Sequence, residues 1–133
     1  MRRSYVLDAG VLALYFAGRE DAKMYVDAAY SGGARVLMCE VNVAEFLYNY
    51  ARVFGWEAAL VKHALLRSSP IAIVGVNEKL TVEAARLKLR HYGRLSLADC
   101  YLLALAKLAK ATVVTTDGAI EEVGEAPAVL LRV

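Results

Sequence analysis

The chain has 133 residues, the size of one domain that can bury most of its apolar surface in a single core, so one domain spanning residues 1–133 is expected. Hydrophobic residues make up 59% of it, yet charges interrupt every apolar stretch well before the roughly 18 residues a membrane span requires. The formal net charge of +2 is too small to imply a nucleic-acid surface by itself, because a clustered basic patch matters more than a modest excess.

The predicted elements alternate. Ser4 to Leu7 reads as a short buried strand, Asp8 follows it, and Val11 to Phe16 forms an apolar helix stopped at Gly18. Asp21 to Tyr30 carries Met24, Tyr25 and Ala28 at helical spacing and ends in Ser31-Gly-Gly, after which Val36 to Cys39 makes the second strand. A long helix is expected from Asn42 to about Phe54, broken at Gly55, then another from Trp56 to Leu66. Ile71 to Val74 is the third strand, followed by a helix from Asn77 or Glu78 to about His91 and a break at Tyr92-Gly-Arg94. The helix from Leu97 to Ala109 leads to a fourth strand at Thr112 to Thr115, a short helix after Asp117 and a final edge strand at Ala128 to Leu131.

Short β-branched strands separated by helices predict an α/β fold, a three-layer α/β/α sandwich with a central, mainly parallel sheet covered on both faces. The strand order is left open. The basic N-terminus resembles the start of a signal peptide, but Asp8 breaks the apolar run and no small-residue cleavage pattern follows, so a cytoplasmic location without membrane attachment is expected. Cys39 and Cys100 are far apart in apolar contexts and read as buried thiols, not as a disulfide or a zinc site.

Chemistry is suggested by four acids, Asp8, Glu45, Asp99 and Asp117, each placed where a strand gives way to a helix or where a helix begins. Taken singly, each has an ordinary reading. Asn42-Val-Ala-Glu45 and Ser96-Leu-Ala-Asp99 have the spacing of capping boxes, and Asp8 and Asp117 suit helix N-caps. Taken together they differ, because an alternating fold gathers its ligand sites at the carboxyl ends of the strands. Four neighbouring carboxylates there would repel one another unless a cation were shared. Carboxylates are hard oxygen ligands suited to Mg²⁺ or Mn²⁺, which activate water, so the set points to phosphodiester hydrolysis.

The flanking residues carry more information. Tyr5-Val-Leu-Asp8-Ala-Gly, Val43-Ala-Glu45-Phe-Leu, Leu95-Ser96-Leu-Ala-Asp99-Cys-Tyr-Leu-Leu-Ala-Leu-Ala and Val113-Val-Thr115-Thr116-Asp117 together resemble the PIN-domain nucleases, particularly the VapC toxins. The resemblance runs from residue 5 to about 117 and keeps the order and approximate spacing of the family's four acidic positions. It implies a metal-dependent endoribonuclease in which Asp8, Glu45, Asp99 and Asp117 hold Mg²⁺ or Mn²⁺ and position a water for attack on RNA phosphate. Ser96 and Thr115 match polar supporting positions. It also implies a toxin of a VapBC-type toxin–antitoxin pair, with a second copy of the chain and a small antitoxin protein as partners. Glu40 competes with Glu45 for the second acidic role, and Glu121 and Glu122 are candidates for outer charge.

Arg90, His91 and Arg94 precede the helix start at Ser96, so Arg90 and Arg94 are candidates for holding RNA phosphate, against the reading of a solvated helix end. His91 is also a candidate general base, although a coordinated water needs little such help. The aromatics Phe46, Tyr48, Tyr50, Phe54 and Trp56 exceed what one buried stripe needs and suggest an interface beside a core role. Three alternatives stand beside the toxin reading. One is a PIN-like RNA-processing nuclease outside a toxin system. Another is a non-catalytic module binding nucleic acid or protein, with the acids serving as caps. The third, a phosphotransfer domain resembling response-regulator receivers, is disfavoured by the lack of a convincing Lys after a late strand.

Overall fold

A computed structural model describes residues 2–133. The elements run β1 (Arg3–Leu7), α1 (Ala9–Phe16), α2 (Glu20–Ser31), β2 (Ala34–Cys39), α3 (Glu40–Phe54), α4 (Trp56–Arg67) and β3 (Ala72–Val74). They continue with α5 (Glu78–Arg90), α6 (Leu97–Ala109), β4 (Thr112–Thr115), α7 (Gly118–Glu122) and β5 (Ala128–Leu130). The five strands form one sheet in the order β3-β2-β1-β4-β5, and every pairing is parallel. The expected mainly parallel sheet is thus wholly parallel, including the last edge strand.

Strand alternation divides the core into two halves. Val6 pairs in register with Leu37 of β2 and Val113 of β4, and all three face α5, α6 and α7. Leu7 pairs with Val114, and with Val36 and Met38 they face α1 to α4 on the opposite side. Both faces are apolar because both are covered, which is why the strands read as continuous hydrophobic runs. No helix among the described residues is long and apolar enough to cross a membrane.

The chain winds from β1 to β2 to β3 in one direction, then crosses back to place β4 and β5 on the other side of β1. Connections of one hand then put the helices of the first half on one face and those of the second half on the other. The reversal between β1 and β4 opens a crevice at the carboxyl ends of these two strands, where Asp8 and Asp117 follow.

Several local expectations change. Asn42 does not start α3: the helix begins at Glu40 with Cys39 at its N-cap, so Asn42 lies within the first turn and makes no capping box with Glu45. Helix entry directly from β2 leaves no loop for Asn42 to cap. The box at Ser96 and Asp99 does form. In α6, Cys100 and the run Leu102 to Ala106 are buried, whereas Leu97 and Leu108 at its two ends are exposed, so only the middle of this helix is enclosed. Cys39 and Cys100 are free, buried thiols. The aromatics of α3 form a ladder with i, i+4 spacing from core to surface: Phe46 packs 5.7 Å from Phe16, Tyr50 lies 5.4 Å from Phe46, and Phe54 lies 4.6 Å from Tyr50.

Gly10 lets the start of α1 approach the β4–α7 loop. A Cβ at this position would overlap Thr116 Oγ1 and sit 3.3 Å from both its Cβ and Cγ2, so rotating the threonine would move Oγ1 but leave its Cβ in a tight contact. Gly10→Ala is expected to destabilise the fold by ~1–3 kcal/mol through overpacking, and Thr116→Ala in the same chain to recover much of it, as measured by chemical denaturation.

On the far side of α6 an ionic cluster ties the second half of the fold together. Glu125 receives Arg90 Nη1 at 2.7 Å, His91 Nε2 at 2.6 Å and Lys107 Nζ at 3.0 Å, joining the end of α5, α6 and the approach to β5. Burial alone would raise the Glu125 carboxyl, but the bonds from His91, Arg90 and Lys107 outweigh it and bring it down to about 2. Its contribution to stability is therefore present above the unfolded value of 4.5 and lost as pH falls toward about 2. Glu125→Gln should cost ~1–3 kcal/mol near neutrality, the scale of lost charged hydrogen bonds. In denaturation at a series of pH values, the gap from wild type should close on acidification.

Candidate active site

Asp8 sits at the end of β1 and is 7% exposed. As the N-cap of α1 its Oδ1 accepts from the Val11 N–H at 2.9 Å, and Oδ2 accepts from the Thr116 N–H at 3.1 Å and from the Thr115 hydroxyl. Thr115 Oγ1 in turn accepts from the Asp117 N–H at 3.0 Å, which leaves its single proton for Asp8. One fully buried threonine thus orients both strand-end acids.

Asp99 occupies the third position of α6. Its Oδ2 accepts from the Ser96 N–H at 3.2 Å while Ser96 Oγ accepts from the Asp99 N–H at 3.1 Å. Asp117 caps α7 through the Ala119 N–H at 2.9 Å. The capping readings of Asp8, Asp99 and Asp117 therefore hold, and they coexist with the clustering described next. Glu45 projects from the second turn of α3 and has no capping role.

The four acids are neighbours. Burial raises the Asp8 carboxyl against its three hydrogen bonds, and the Asp99 charge adds to the rise. Burial also raises Glu45, with further contributions from Asp99, Asp8 and Asp117. Burial raises Asp99 against the Ser96 bonds, Asp117 raises it further, and Lys88 opposes. Asp8 is buried, Glu45 and Asp99 half-buried and Asp117 exposed, so the cluster grades from core to solvent. Among the described residues none of the four takes part in an ion pair, whereas Glu40, Glu122 and Glu125 all do.

The other candidates are placed as follows. Glu40 makes a two-pronged pair with Arg67, at 2.6 and 2.8 Å, which is its role in place of the site. Arg90 and His91 belong to the Glu125 cluster, and Arg94 pairs with Glu122 at 3.0 Å on the surface. Ser96 and Thr115 both touch the acids they were expected to support.

Three residues near the site were not singled out for it in the sequence. Asn42 is 1% exposed; its Nδ2 donates to the Ala98 carbonyl at 3.2 Å, bracing α3 against the start of α6. The same side chain favours the ionised form of Glu45. Its spacing of three from Glu45, first taken as a capping signal, in fact places both residues on one helix face. Lys88 carried no local signal and Gly10 none beyond its place in the Asp8-Ala-Gly flank, because their partners Leu95 and Thr116 are set by tertiary packing.

The donor set suits a hard divalent cation: oxygen ligands only, clustered negative charge, and a buried Asn42 Oδ1 that finds no hydrogen-bond donor among the described residues. Among those residues no three Asp, Glu, His or Cys side chains stand at the spacing of a closed ligand shell.

Comparison with known proteins agrees with this architecture. No curated protein matches the chain by sequence. Among solved structures, VapBC2 from Rickettsia felis, determined bound to a DNA fragment from its promoter, is similar with a TM-score of 0.77 and 15% identity over 96% of this chain and 98% of that one. A toxin–antitoxin complex from Klebsiella pneumoniae gives 0.72 and 17% over 97% and 99%. VapC20 of Mycobacterium tuberculosis, described as a sarcin-ricin loop cleaving toxin, gives 0.70 and 21% over 91% and 95%. The model of the PIN domain matches residues 5–126, which contain all four acids, and the chain belongs to the PIN domain family, with the fold of the VapC toxins.

Proposed function

We infer that the protein is a metal-dependent endoribonuclease acting as the toxin of a VapBC-type pair in the cytoplasm. The carrying observation is the grouping of Asp8, Glu45, Asp99 and Asp117 at the sheet reversal, where neighbouring acid charges raise Asp8, Glu45 and Asp99 and, among the described residues, no cationic side chain forms an ion pair with any of the four. VapC20, which shares the fold, is described as cleaving the sarcin-ricin loop, and this supports RNA as the substrate.

Asp8, Glu45, Asp99 and Asp117 would hold Mg²⁺ or Mn²⁺. When bound, such an ion supplies charge for the phosphate oxygens and lowers the pKa of an attacking water. The chain's own contribution is orientation. Asp8 is held by three hydrogen bonds and Asp99 by a capping box, so neither must be ordered when substrate arrives. Asn42 fixes the separation of α3 and α6, and with it the span between Glu45 and Asp99. Water attacks phosphorus, the bond to the leaving oxygen breaks, that oxygen gains a proton, and no covalent enzyme intermediate forms.

Arg94 is the better placed of the two arginines for RNA phosphate. Its pair with Glu122 is solvent-exposed and easily exchanged, whereas Arg90 is held in the Glu125 cluster. The antitoxin reading is supported by the neighbours from R. felis and K. pneumoniae, and by an apolar groove of about 250 Å³ beside the acids, lined by Ala9, Ala13, Tyr50, Val53 and Phe54. An apolar antitoxin segment laid there would cover the outer end of the aromatic ladder and cap the approach to Asp8. Trp56, Leu60 and Val61 on α4 leave a separate exposed apolar strip suited to a second copy of the chain.

Wild-type protein should cleave single-stranded RNA with Mg²⁺ or Mn²⁺ and lose that activity in EDTA. Asp8→Asn and Asp99→Asn should each lower the rate at least ~100-fold. Thermal melting provides an independent check: Mn²⁺ should raise the Tm of wild type and raise it much less in Asp99→Asn. Equal cleavage by all three proteins, or metal-independent cleavage, would overturn the reading.

A further inference from the structure

The α5–α6 connection carries an aromatic ring that neither the core nor the carboxylate cluster uses. Tyr92 is 82% exposed, the most exposed aromatic side chain among the described residues, and no hydrogen bond to its hydroxyl is present among them. The segment bearing it is nonetheless firmly tied. The N–H groups of Arg94 and Leu95 both donate to the His91 carbonyl, at 3.0 and 3.2 Å, and Gly93 supplies the left-handed turn between them at φ +87°. Lys88 Nζ reaches across from the last turn of α5 to the Leu95 carbonyl at 2.6 Å.

The same ammonium lies 5.6 Å from the centroid of the Tyr92 ring. Leu95, whose carbonyl Lys88 holds, immediately precedes Ser96, and the Ser96 N–H donates to Asp99 Oδ2 at 3.2 Å. The ring is therefore fastened through Lys88 to the loop that runs directly into the Ser96–Asp99 capping box. A cation on one side of a ring holds it by cation–π attraction and leaves the opposite side for another partner. An aromatic face beside a phosphodiester-cleaving centre matches the way proteins hold single-stranded RNA, whose unpaired bases stack on aromatic side chains.

We propose that Tyr92 is a base-stacking platform for the RNA strand entering the site, so that the enzyme takes a single-stranded segment with an unstacked base next to the scissile bond. This rests on the ribonuclease reading above and adds the residue that holds a base of the strand. Lys88 is a positioning residue in this scheme, holding both the loop and the ring.

The test is anisotropy of a fluorescein-labelled single-stranded RNA in the Asp99→Asn background with Mg²⁺, read before the slowed cleavage consumes the strand, beside a duplex RNA containing the same sequence. Tyr92→Ala should weaken single-strand binding roughly 5- to 100-fold, Tyr92→Phe should stay within about twofold, and duplex affinity should be unchanged. The phenylalanine variant separates stacking from any use of the hydroxyl, and the duplex control separates it from a general loss of loop structure. Unchanged single-strand affinity in Tyr92→Ala would overturn the proposal, as would equal losses on duplex and single strand. So would a loss of antitoxin or self-association with RNA affinity intact, which would assign the ring to a protein partner. If any of these occurs while wild type still cleaves RNA with metal and Asp8→Asn does not, only the stacking proposal falls; absence of cleavage by wild type removes both.

Discussion

The carboxylate of Asp8 is held across the point where the sheet reverses direction, and most of the site's geometry follows from that bond set. It is anchored locally to Val11 and across the strands to Thr115 and Thr116, so β1, α1 and β4 are joined through one side chain, and Thr115 passes the link on by accepting from the Asp117 N–H at the start of α7. Burying a carboxylate this deeply is unfavourable, and the hydrogen bonds only partly offset the burial. The α1 backbone also approaches Thr116 closely at Gly10, where a Cβ would overlap the threonine Oγ1.

Around this anchor the protein treats its acids in two ways. Glu40, Glu83, Glu122 and Glu125 are each matched to arginine, lysine or histidine, which stabilises helix ends and ties the α5–α6 pair to the last strand. Glu45 and Asp99 instead have no ion-pair partner among the described residues; burial raises both carboxyls and the charges of neighbouring acids raise them further. A chain with 16 Lys and Arg could have neutralised them by pairing, yet among the described residues none of the four site acids forms an ion pair. Such an arrangement costs stability in the isolated protein and is the expected signature of a functional site.

Rigid support comes from the surrounding helices. Asn42 braces α3 on α6, the Ser96 capping box fixes the first turn of α6, and the enclosed middle of α6 prevents that helix from shifting. The loop bearing Tyr92 is attached to this same support through Lys88, so a binding surface and the acid cluster share one scaffold. The apolar groove at Tyr50 and Phe54 is lined by α1 and α3 and includes Ala9, the residue after Asp8.

Much of this was legible in the sequence, because the signals were local or periodic. Alternation of short apolar strands with helices determined the layered α/β class, the capping patterns at Asp8, Ser96 and Asp117 marked three helix starts, and the spacing of the four acids with their flanks carried the family resemblance. What tertiary structure decided was whatever depends on contacts far apart in the chain. Asn42 looked like a cap and became a buried brace, since α3 enters straight from β2 and its first turn meets α6. Glu40 and Glu45 were rivals on sequence; the reach of Arg67 from the end of α4 settled Glu40 as an ion-pair partner. Arg90 and His91 read as a free basic loop until Glu125, more than thirty residues later, was found to hold them. Strand order, and with it the meeting of Asp8 and Asp117 in one crevice, also lay outside local reading, because periodicity says which side of a strand is buried but not which strand lies beside it.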